Sequence, residues 1–379
     1  MPENITYLLG AGASANCIPV INGLPIGLRK LSFLLKEKVD PETPGERRFS
    51  DKILIEYTNR LITQIDFVLD ELTRHYTIDT LAKKYFLRDL DQYLIILKQV
   101  LITYFVFEQT YKKGYFSVDG KLPADKEKEI PDRRYDSLIA TILDKVQQPL
   151  KLPDNFKVIS WNYDIQFELA CLEYFPKLDM PDLQQMIQAL PTLETANGSW
   201  NVNLNKFALI RLNGIAGRLL GNSFDQSQFP NTNDGFRDAS LAENSYVNLL
   251  VRYFIEMTKP TYQLFNYAWE TQDVKYQVEG KQQSIGEIAE KIMQDTDILV
   301  IIGYSFPPFN RRIDKKLMEA LTNRVKRVYI QDLKDRVTDL RSFLQDSFPN
   351  LSPEISGRPW LVKEVPYTNH FFIPPEADV

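Results

Sequence analysis

The sequence predicts an α/β fold, namely a Rossmann-like, doubly wound parallel sheet with a large helical insertion. Short apolar runs bounded by glycine or polar residues recur along the chain, and such runs are typical of buried parallel strands. Segments with helical periodicity separate most of them, which is the alternation that builds this class of sheet. The predicted strands are Ile5–Leu9, Phe156–Trp161, Ala208–Leu212, Ile298–Ile302, Val328–Gln331 and Trp360–Val365.

The clearest helix precedes the strand at Ile298. Ser284 and Glu287 have the spacing of a capping box, in which the serine caps the helix and the glutamate bonds back to the cap. Behind them, apolar residues recur at the spacing that forms one helix face, which predicts a helix packed on the sheet. These residues are Ile285, Ile288, Ala289, Ile292 and Met293.

One long interval interrupts the alternation. From about Leu31 to Lys151 the pattern is helical, and Leu54–Tyr111 is rich in apolar residues at helix-like spacing. We therefore expect a Rossmann-like domain formed by residues 1–30 and 151–379, and a helical insertion domain formed by residues 31–150. Two segments look irregular: Lys112–Arg134 is predicted to be a solvated loop, and Gly217–Asp238 a disordered segment or a functional lid.

Composition narrows the classes of function. The 379 residues are 44% hydrophobic with a net charge of −5, and this acidic balance argues against direct nucleic-acid binding. Two cysteines cannot form a four-ligand zinc site or a disulfide framework, so we expect no zinc and a cytoplasmic location. We also expect neither a signal peptide nor a membrane span, because the chain has no suitable apolar segment.

The first predicted strand runs directly into Gly10-Ala11-Gly12-Ala13-Ser14. Glycines in this context let the backbone approach a pyrophosphate, and amides at a following helix N-terminus face its oxygens. Ser14 can add a hydroxyl donor. The third glycine of the dinucleotide fingerprint is replaced by Ala15. Spacing alone leaves two interpretations open, a phosphate-binding turn and a plain tight turn.

Polar or small residues follow three other predicted strands. These segments are Asn162-Tyr163-Asp164, Asn213-Gly214 and Gly303-Tyr304-Ser305. The carboxyl ends of parallel strands share one edge of the sheet, where open α/β sheets bind ligands. Each segment alone could be a polar turn, but together with the glycine loop they predict a ligand site at this edge.

These motifs resemble the sirtuin-like family, in particular its bacterial antiphage branch of NAD-hydrolysing proteins. The matching segments appear in the family's order and span most of the chain; they are GAGASA at 10–15, SWNYD at 160–164, RLNG at 211–214 and IGYSF at 302–306. Asn22-Gly23-Leu24-Pro25 is similar to the same branch.

The resemblance implies an NAD site in which NAD is the substrate. Gly10, Ala11, Gly12 and Ser14 would hold the phosphates and the nearby ribose. Asn162 would orient the nicotinamide ribose or the attacking water, with Asp164 close behind it. Gly303 and Ser305 would lie near the adenosine half, and Gln331-Asp332 on the adenine side. Expected partners are further copies of the chain, as a homo-oligomer, and a HerA-type ATPase.

The sequence departs from the family at one catalytic position. The family's catalytic histidine lies in a Leu-His-Gly motif, and this chain has Leu212-Asn213-Gly214. A histidine base contributes roughly 10²–10⁴-fold, so its absence slows hydrolysis and need not abolish it. Asp164 is the nearest candidate for a base or for electrostatic stabilisation of the cationic transition state, although capping the next helix explains it equally well. Glu168, one turn further along that helix, is expected to be a surface or packing residue. His75 and His370 are expected to be structural, with the alternative that the helical insertion brings His75 over the nicotinamide pocket.

Three hypotheses follow. The chain could be an NAD+ glycohydrolase that forms ADP-ribose and nicotinamide and depletes NAD during phage infection. It could instead be a catalytically impaired module that binds NAD or ADP-ribose. Finally, it could be a structural subunit of a defence assembly. Asn213 favours the second hypothesis, whereas Asn162 and Asp164 favour the first.

Overall fold

The computed structural model describes most of the chain. The described residues are 2–19, 23–45, 48–75, 77–110, 131–143, 150–191, 201–216, 243–258, 265–270 and 275–377. Residue 22, most of the predicted loop at 112–134 and all of the predicted irregular segment at 217–238 lie outside them. The chain divides into two compact units. One contains residues 1–15, 131–215 and 266–379, and the other contains residues 16–130 and 216–265.

The first unit, called here the sheet unit, is built on seven parallel strands flanked by helices. In spatial order the strands are β10 (Val362–Val365), β9 (Arg327–Gln331), β8 (Ile298–Ile302), β1 (Ile5–Leu9), β2 (Phe156–Ser160), β5 (Ala208–Arg211) and β3 (Ala189–Leu190). The predicted fold class is therefore confirmed, and all six predicted strands belong to this sheet. β1, β2 and β8 are buried at every position, as expected for strands covered on both faces.

The strand order reverses direction at β1. From β1 the chain moves to β2 and β5 on one side, and it later returns to β8, β9 and β10 on the other side. Leu9, the last residue of β1, is in register with Ser160 of β2 and Ile302 of β8. Such a reversal opens a crevice at the carboxyl edge of the sheet, and ligands of open α/β sheets bind there.

Seven α-helices of the sheet unit lie within the described ranges. They are α5 (Arg133–Ile142), α6 (Gln166–Tyr174), α7 (Met180–Met186), α9 (Ile285–Gln294), α10 (Arg311–Ala320), α11 (Val337–Ser347) and α12 (Pro353–Ser356). The predicted capping box at the start of α9 is present, with Ser284 and Glu287 bonded reciprocally. The predicted apolar face of α9 is buried in the same core as the strands. A small second sheet joins β4 (Asn201–Val202), β6 (Lys275–Val278) and β7 (Lys281–Ser284).

The second unit, called here the helical unit, contains five described helices. They are α1 (Leu24–Val39), α2 (Lys52–Leu72), α3 (Ile78–Leu87), α4 (Asp91–Thr110) and α8 (Glu243–Met257). Asp51 and Thr77 cap α2 and α3 through their side chains. Gln99 of α4 donates to the carbonyl of Met257, which ties α8 to the helices that precede it by more than a hundred residues. No helix within the described ranges is long and apolar enough to cross a membrane.

Candidate functional site at the carboxyl edge of the sheet

The glycine loop packs directly against the loop that follows β8. The amide of Gly10 donates to the carbonyl of Ile302 (3.0 Å), and the amide of Gly12 donates to that of Gly303 (2.9 Å). A β-carbon on Gly12 would lie 2.7 Å from the Cα of Gly303, so only glycine fits at that position. The glycines thus allow two backbones to meet at the point where the strand order reverses.

The loop continues as a single 3-10 turn, Ala11–Ser14, instead of the helix start expected there. Besides the amides of Gly10 and Gly12, the amide of Ala13 is also bonded within the loop, to Gly10 (2.9 Å). Ala11 is exposed at the tip. A phosphate bound at this loop would contact mainly its exposed tip, because three amides of the loop already donate to carbonyls.

Ser14 lies at the centre of a buried hydrogen-bond network. Its hydroxyl bonds to the Tyr135 hydroxyl (3.0 Å) and to the Asn162 amide nitrogen (3.2 Å), and it also bonds to the carboxyl of Asp164. A hydroxyl has one donor and two acceptor positions. All are used when Asn162 and Tyr135 donate to Ser14 and Ser14 donates to Asp164. The predicted contact of Ser14 with phosphate or ribose would require one of these bonds to exchange.

Asn162 connects the loop after β2 to the glycine loop. Its amide nitrogen donates to the carbonyl of Gly10 (2.9 Å) as well as to Ser14, and its backbone amide donates to the Ser160 hydroxyl (3.0 Å). The side chain is buried. The predicted proximity of Asn162 to the glycine loop is therefore present, and its amide orientation follows from the carbonyl it must donate to.

Asp164 is buried at the start of α6. Its carboxylate accepts from the backbone amide of Gln166 (3.1 Å), the first residue of α6, although the N-cap position itself is occupied by Ile165. Burial raises the pKa of this carboxyl, although hydrogen bonds from Ser14 and Gln166 and the charge of Arg211 act in the opposite direction.

Arg211 of the RLNG segment forms a buried ion pair with Glu168 of α6. The guanidinium also donates to the carbonyl of Asp164 (3.1 Å), and Gln184 donates to the other oxygen of Glu168 (3.0 Å). Glu168 is fully buried. Of the two roles predicted for it, the surface role is therefore wrong and the packing role is confirmed. Removing one partner of a buried ion pair leaves an uncompensated charge and strongly destabilises the fold. The pair therefore holds Arg211 in place, and Arg211 fixes the backbone of Asp164 between β5 and α6.

Asn213 lies beside this network after β5. Its amide nitrogen is 3.4 Å from the carbonyl of Trp161, and its backbone carbonyl accepts from Asn266 (2.8 Å). The side-chain oxygen is buried and has no hydrogen-bond partner among the described residues. A buried acceptor without a partner is uncommon, and a ligand or water molecule could satisfy it.

Sequence analysis missed two residues of α5 that hold the glycine loop. Arg134 is buried, pairs with Asp132 (2.6 Å) and donates to the carbonyl of Ala13 (3.0 Å). Tyr135 supplies the hydroxyl that bonds Ser14. Both lie about 120 residues from the loop in sequence, and no local pattern marks them. Arg134 falls at the end of the segment predicted to be a solvated loop, and that part of the prediction is wrong because α5 begins at Arg133.

The residues expected near the adenosine half are spread more widely. Gly303 contacts Gly12 and adopts φ +60°, whereas Ser305 is exposed. Asp332 is buried and accepts from the amide of Leu333 (2.7 Å). Gln331 donates to the carbonyls of Tyr367 and His370, and so fastens the C-terminal segment.

The two histidines occupy structural positions. His370 is exposed, with its ring against Tyr367. The ring of His75, in the helical unit, bonds to the carbonyl of Glu71 (2.8 Å) and to Lys84 (3.1 Å). These contacts give each ring a neighbour, and the structural role of both histidines stays a prediction.

No known family model matches this chain, and neither does any curated protein. Function must therefore be argued from the motifs and from the geometry of the site.

Proposed function

We propose that the chain binds NAD+ at the carboxyl edge of the sheet and hydrolyses the bond between ribose and nicotinamide, giving ADP-ribose. One observation carries the proposal. The glycine loop, Asn162 and Asp164 form one buried network at the point where the strand order reverses, with the unpartnered oxygen of Asn213 beside it. The side-chain amide of Asn213 faces the carbonyl of Trp161, the residue that precedes Asn162, and this contact connects Asn213 to the network. The Asn213 oxygen supports the proposal through its place beside this network, where a ligand could satisfy it.

The chemistry suits these side chains. Nicotinamide leaves as a neutral molecule, so the protein needs little acid catalysis and must mainly stabilise positive charge on the ribose. In its ionised form Asp164 supplies a fixed negative charge in a site shielded from water, where such charges are most effective. The Asn213 oxygen can accept a hydrogen bond from the attacking water or a ribose hydroxyl. An amide is a poor base, so we expect slow turnover.

The biological role that we propose is NAD depletion in antiphage defence, in the cytoplasm, by a homo-oligomer working with a HerA-type ATPase. The motif resemblance alone supports this part. It implies that the isolated chain hydrolyses NAD slowly and that the partner accelerates it.

The test is release of nicotinamide and ADP-ribose by the purified chain, alone and with the ATPase. Asn162→Ala should lower turnover roughly 100-fold, because displacement of a catalytic loop by about 1 Å costs that much. The matched control is Asn350→Ala. Asn350 also donates its amide to two acceptors, the carbonyls of Met318 and Leu321, and it lies outside the site. Equal turnover in both variants would refute the catalytic role of Asn162.

The replacement of the histidine by Asn213 favours one second candidate, a module that binds NAD or ADP-ribose without cleaving it. Calorimetry separates the two functions. A module would bind NAD and leave it intact with and without the ATPase, and a hydrolase would consume it in at least one of these conditions.

A further inference from the structure

Tyr304 of the IGYSF segment is the side chain around which the strand-end loops are assembled. Its ring stacks on Trp161 (centroids 5.8 Å apart, planes at 16°), and Trp161 directly precedes Asn162. A β-carbon on Gly10 would lie 2.5 Å from the Cα of Tyr304, so the glycine loop rests on its backbone. Through the carbonyl of Trp161, the same ring supports Asn213. The loops after β1, β2, β5 and β8 thus meet at Tyr304 and Trp161, through one ring stack and two contacts with the backbone of these residues.

The hydroxyl of Tyr304 is held by a carboxylate. It donates to both oxygens of Asp314 (2.7 and 2.8 Å) and accepts from the amide of Asn310 (3.0 Å). Asp314 lies in the first turn of α10 and is 2% exposed. A hydrogen bond to an ionised carboxylate is roughly twice as strong as one between neutral groups. The ionised form of Asp314 therefore fixes Tyr304 most firmly.

Among the described residues, no positive side chain is paired with Asp314. On its own helix, Lys315 pairs with Glu319, and Lys316 pairs with Glu290 of the neighbouring helix α9. Arg311 and Arg312, in the first turn of the same helix, are exposed. Across the part of the chain that the structure describes, no lysine or arginine forms an ion pair with Asp314. The titratable group that bonds to it is the phenol of Tyr304. Burial raises the pKa of Asp314 to about 7, and the hydrogen bond from Tyr304 limits the rise.

We propose that Asp314 is a positioning residue that acts through Tyr304, and that its ionisation determines how firmly the strand-end loops of the site are held. A neutral carboxyl must use one oxygen as a donor, so it cannot accept the Tyr304 proton on both oxygens. Tyr304, which contacts Trp161 and Gly10, is then held less firmly. The loops should lose order as the pH falls through neutral, and so should the nucleotide affinity that rests on the proposed function.

Hydrogen exchange tests the proposal without any nucleotide. We measure the amide exchange rate in peptides covering residues 10–14, 161–164 and 303–306. The rates of variant and wild type are compared at the same pH. At about pH 8.5, well above the pKa, Asp314→Asn should speed exchange roughly tenfold, because the charge-assisted bond is lost. At about pH 5.5 the wild-type carboxyl is neutral too, so the rates should agree within about twofold.

Two controls separate this effect from a general loss of structure. Asp339→Asn removes an exposed carboxylate from the first turn of α11. Tyr329→Phe removes a partly buried hydroxyl that also donates to both oxygens of a carboxylate, that of Glu376 (3.0 and 3.1 Å). Neither control should change exchange in the three peptides. Equal exchange in Asp314→Asn and wild type at the higher pH would overturn the proposal.

A double mutant tests the route through Tyr304. Tyr304→Phe keeps the ring stack and removes the hydroxyl, so it should speed exchange at the higher pH by itself. The combination with Asp314→Asn should be no faster than the faster single variant, because both break one interaction. Additive effects would show that Asp314 acts by another route, contrary to the proposal.

NAD affinity, measured by calorimetry at both pH values, is the second readout. Wild type should bind NAD roughly tenfold more weakly at the lower pH, and Asp314→Asn should bind equally at both. An equal pH dependence in variant and wild type would overturn the link to the site. Failure of the wild type to bind NAD at either pH would refute the proposed function, while the exchange data would still decide the role of Asp314.

Discussion

At the scale of a single residue, Asn213 decides how far the proposed hydrolysis can proceed, because it occupies the position at which the resembling family carries a histidine. Its amide nitrogen faces the carbonyl of Trp161, and its oxygen is a buried acceptor without a described partner. A histidine at this position could donate one ring nitrogen to the same carbonyl. That bond would fix the tautomer and leave the other nitrogen as a base.

We expect Asn213→His to raise the rate of nicotinamide release roughly 100-fold, the lower part of the range for a positioned general base. The gain should be lost as the pH falls through about 6.5, because a protonated imidazole cannot accept a proton. Single-turnover assays across this pH range measure both effects. Asn203→His, at an exposed position before β5, is the control and should change neither. Unchanged turnover with intact NAD binding would favour the binding module.

Residues of the site could be predicted from the sequence where a strand delivers them. Asn162 and Asp164 follow a buried apolar run, and the shared edge of a parallel sheet brings them to the glycine loop. Tyr135 and the pair of Arg211 with Glu168 could not be predicted in the same way. Their partners lie between 43 and 121 residues away in the chain, and no periodic pattern encodes such distances.

At the scale of elements, the glycine loop and the β8 loop depend on one close backbone contact. The Cα of Gly12 lies where any β-carbon would be 2.7 Å from Gly303. Gly286 in the first turn of α9 offers the contrast, since a β-carbon there meets nothing within 4 Å. Glycine is therefore required sterically at position 12, whereas at position 286 it only adds backbone flexibility.

Gly12→Ala should destabilise the sheet unit by about 1–3 kcal/mol, the usual cost of forcing a methyl group into packed structure. Gly286→Ala should stabilise it by about 0.4–1 kcal/mol, because alanine loses less backbone entropy in a helix. Urea unfolding followed by circular dichroism gives both values. Equal effects of the two substitutions would mean that the contact between Gly12 and Gly303 does not constrain the loop.

Elements with a strong local pattern could be predicted, and short polar ones could not. The capping box of α9 and all six predicted strands are present. β3 has two residues, and β4, β6 and β7 are short and largely polar, so their sequences give no strand signal. Their pairing depends on neighbours brought together by the rest of the fold.

At the scale of the whole molecule, alternation along the chain predicts the doubly wound sheet, but it does not predict how segments are shared between the units. The helix α8 belongs to the helical unit although it follows β5, and α5 belongs to the sheet unit although it lies within the range predicted as helical insertion. Such assignments depend on contacts between distant segments, for example that of Gln99 with Met257.

Asp314 should also impose a pH dependence on the stability of the sheet unit. Burial raises its pKa from 3.8 to about 7, so between these values the unfolded chain loses a proton that the folded chain keeps. Stability should therefore fall as the pH rises from about 4 to about 7, by up to about 4 kcal/mol. Asp314→Asn should remove this slope, whereas Asp339→Asn should leave it in place. Denaturant unfolding at several pH values measures this slope.

If Asp314→Asn keeps the full slope, another titratable group causes the pH dependence. A variant that is more stable at high pH yet has looser site loops would show that the fold tolerates a costly buried charge to order its site.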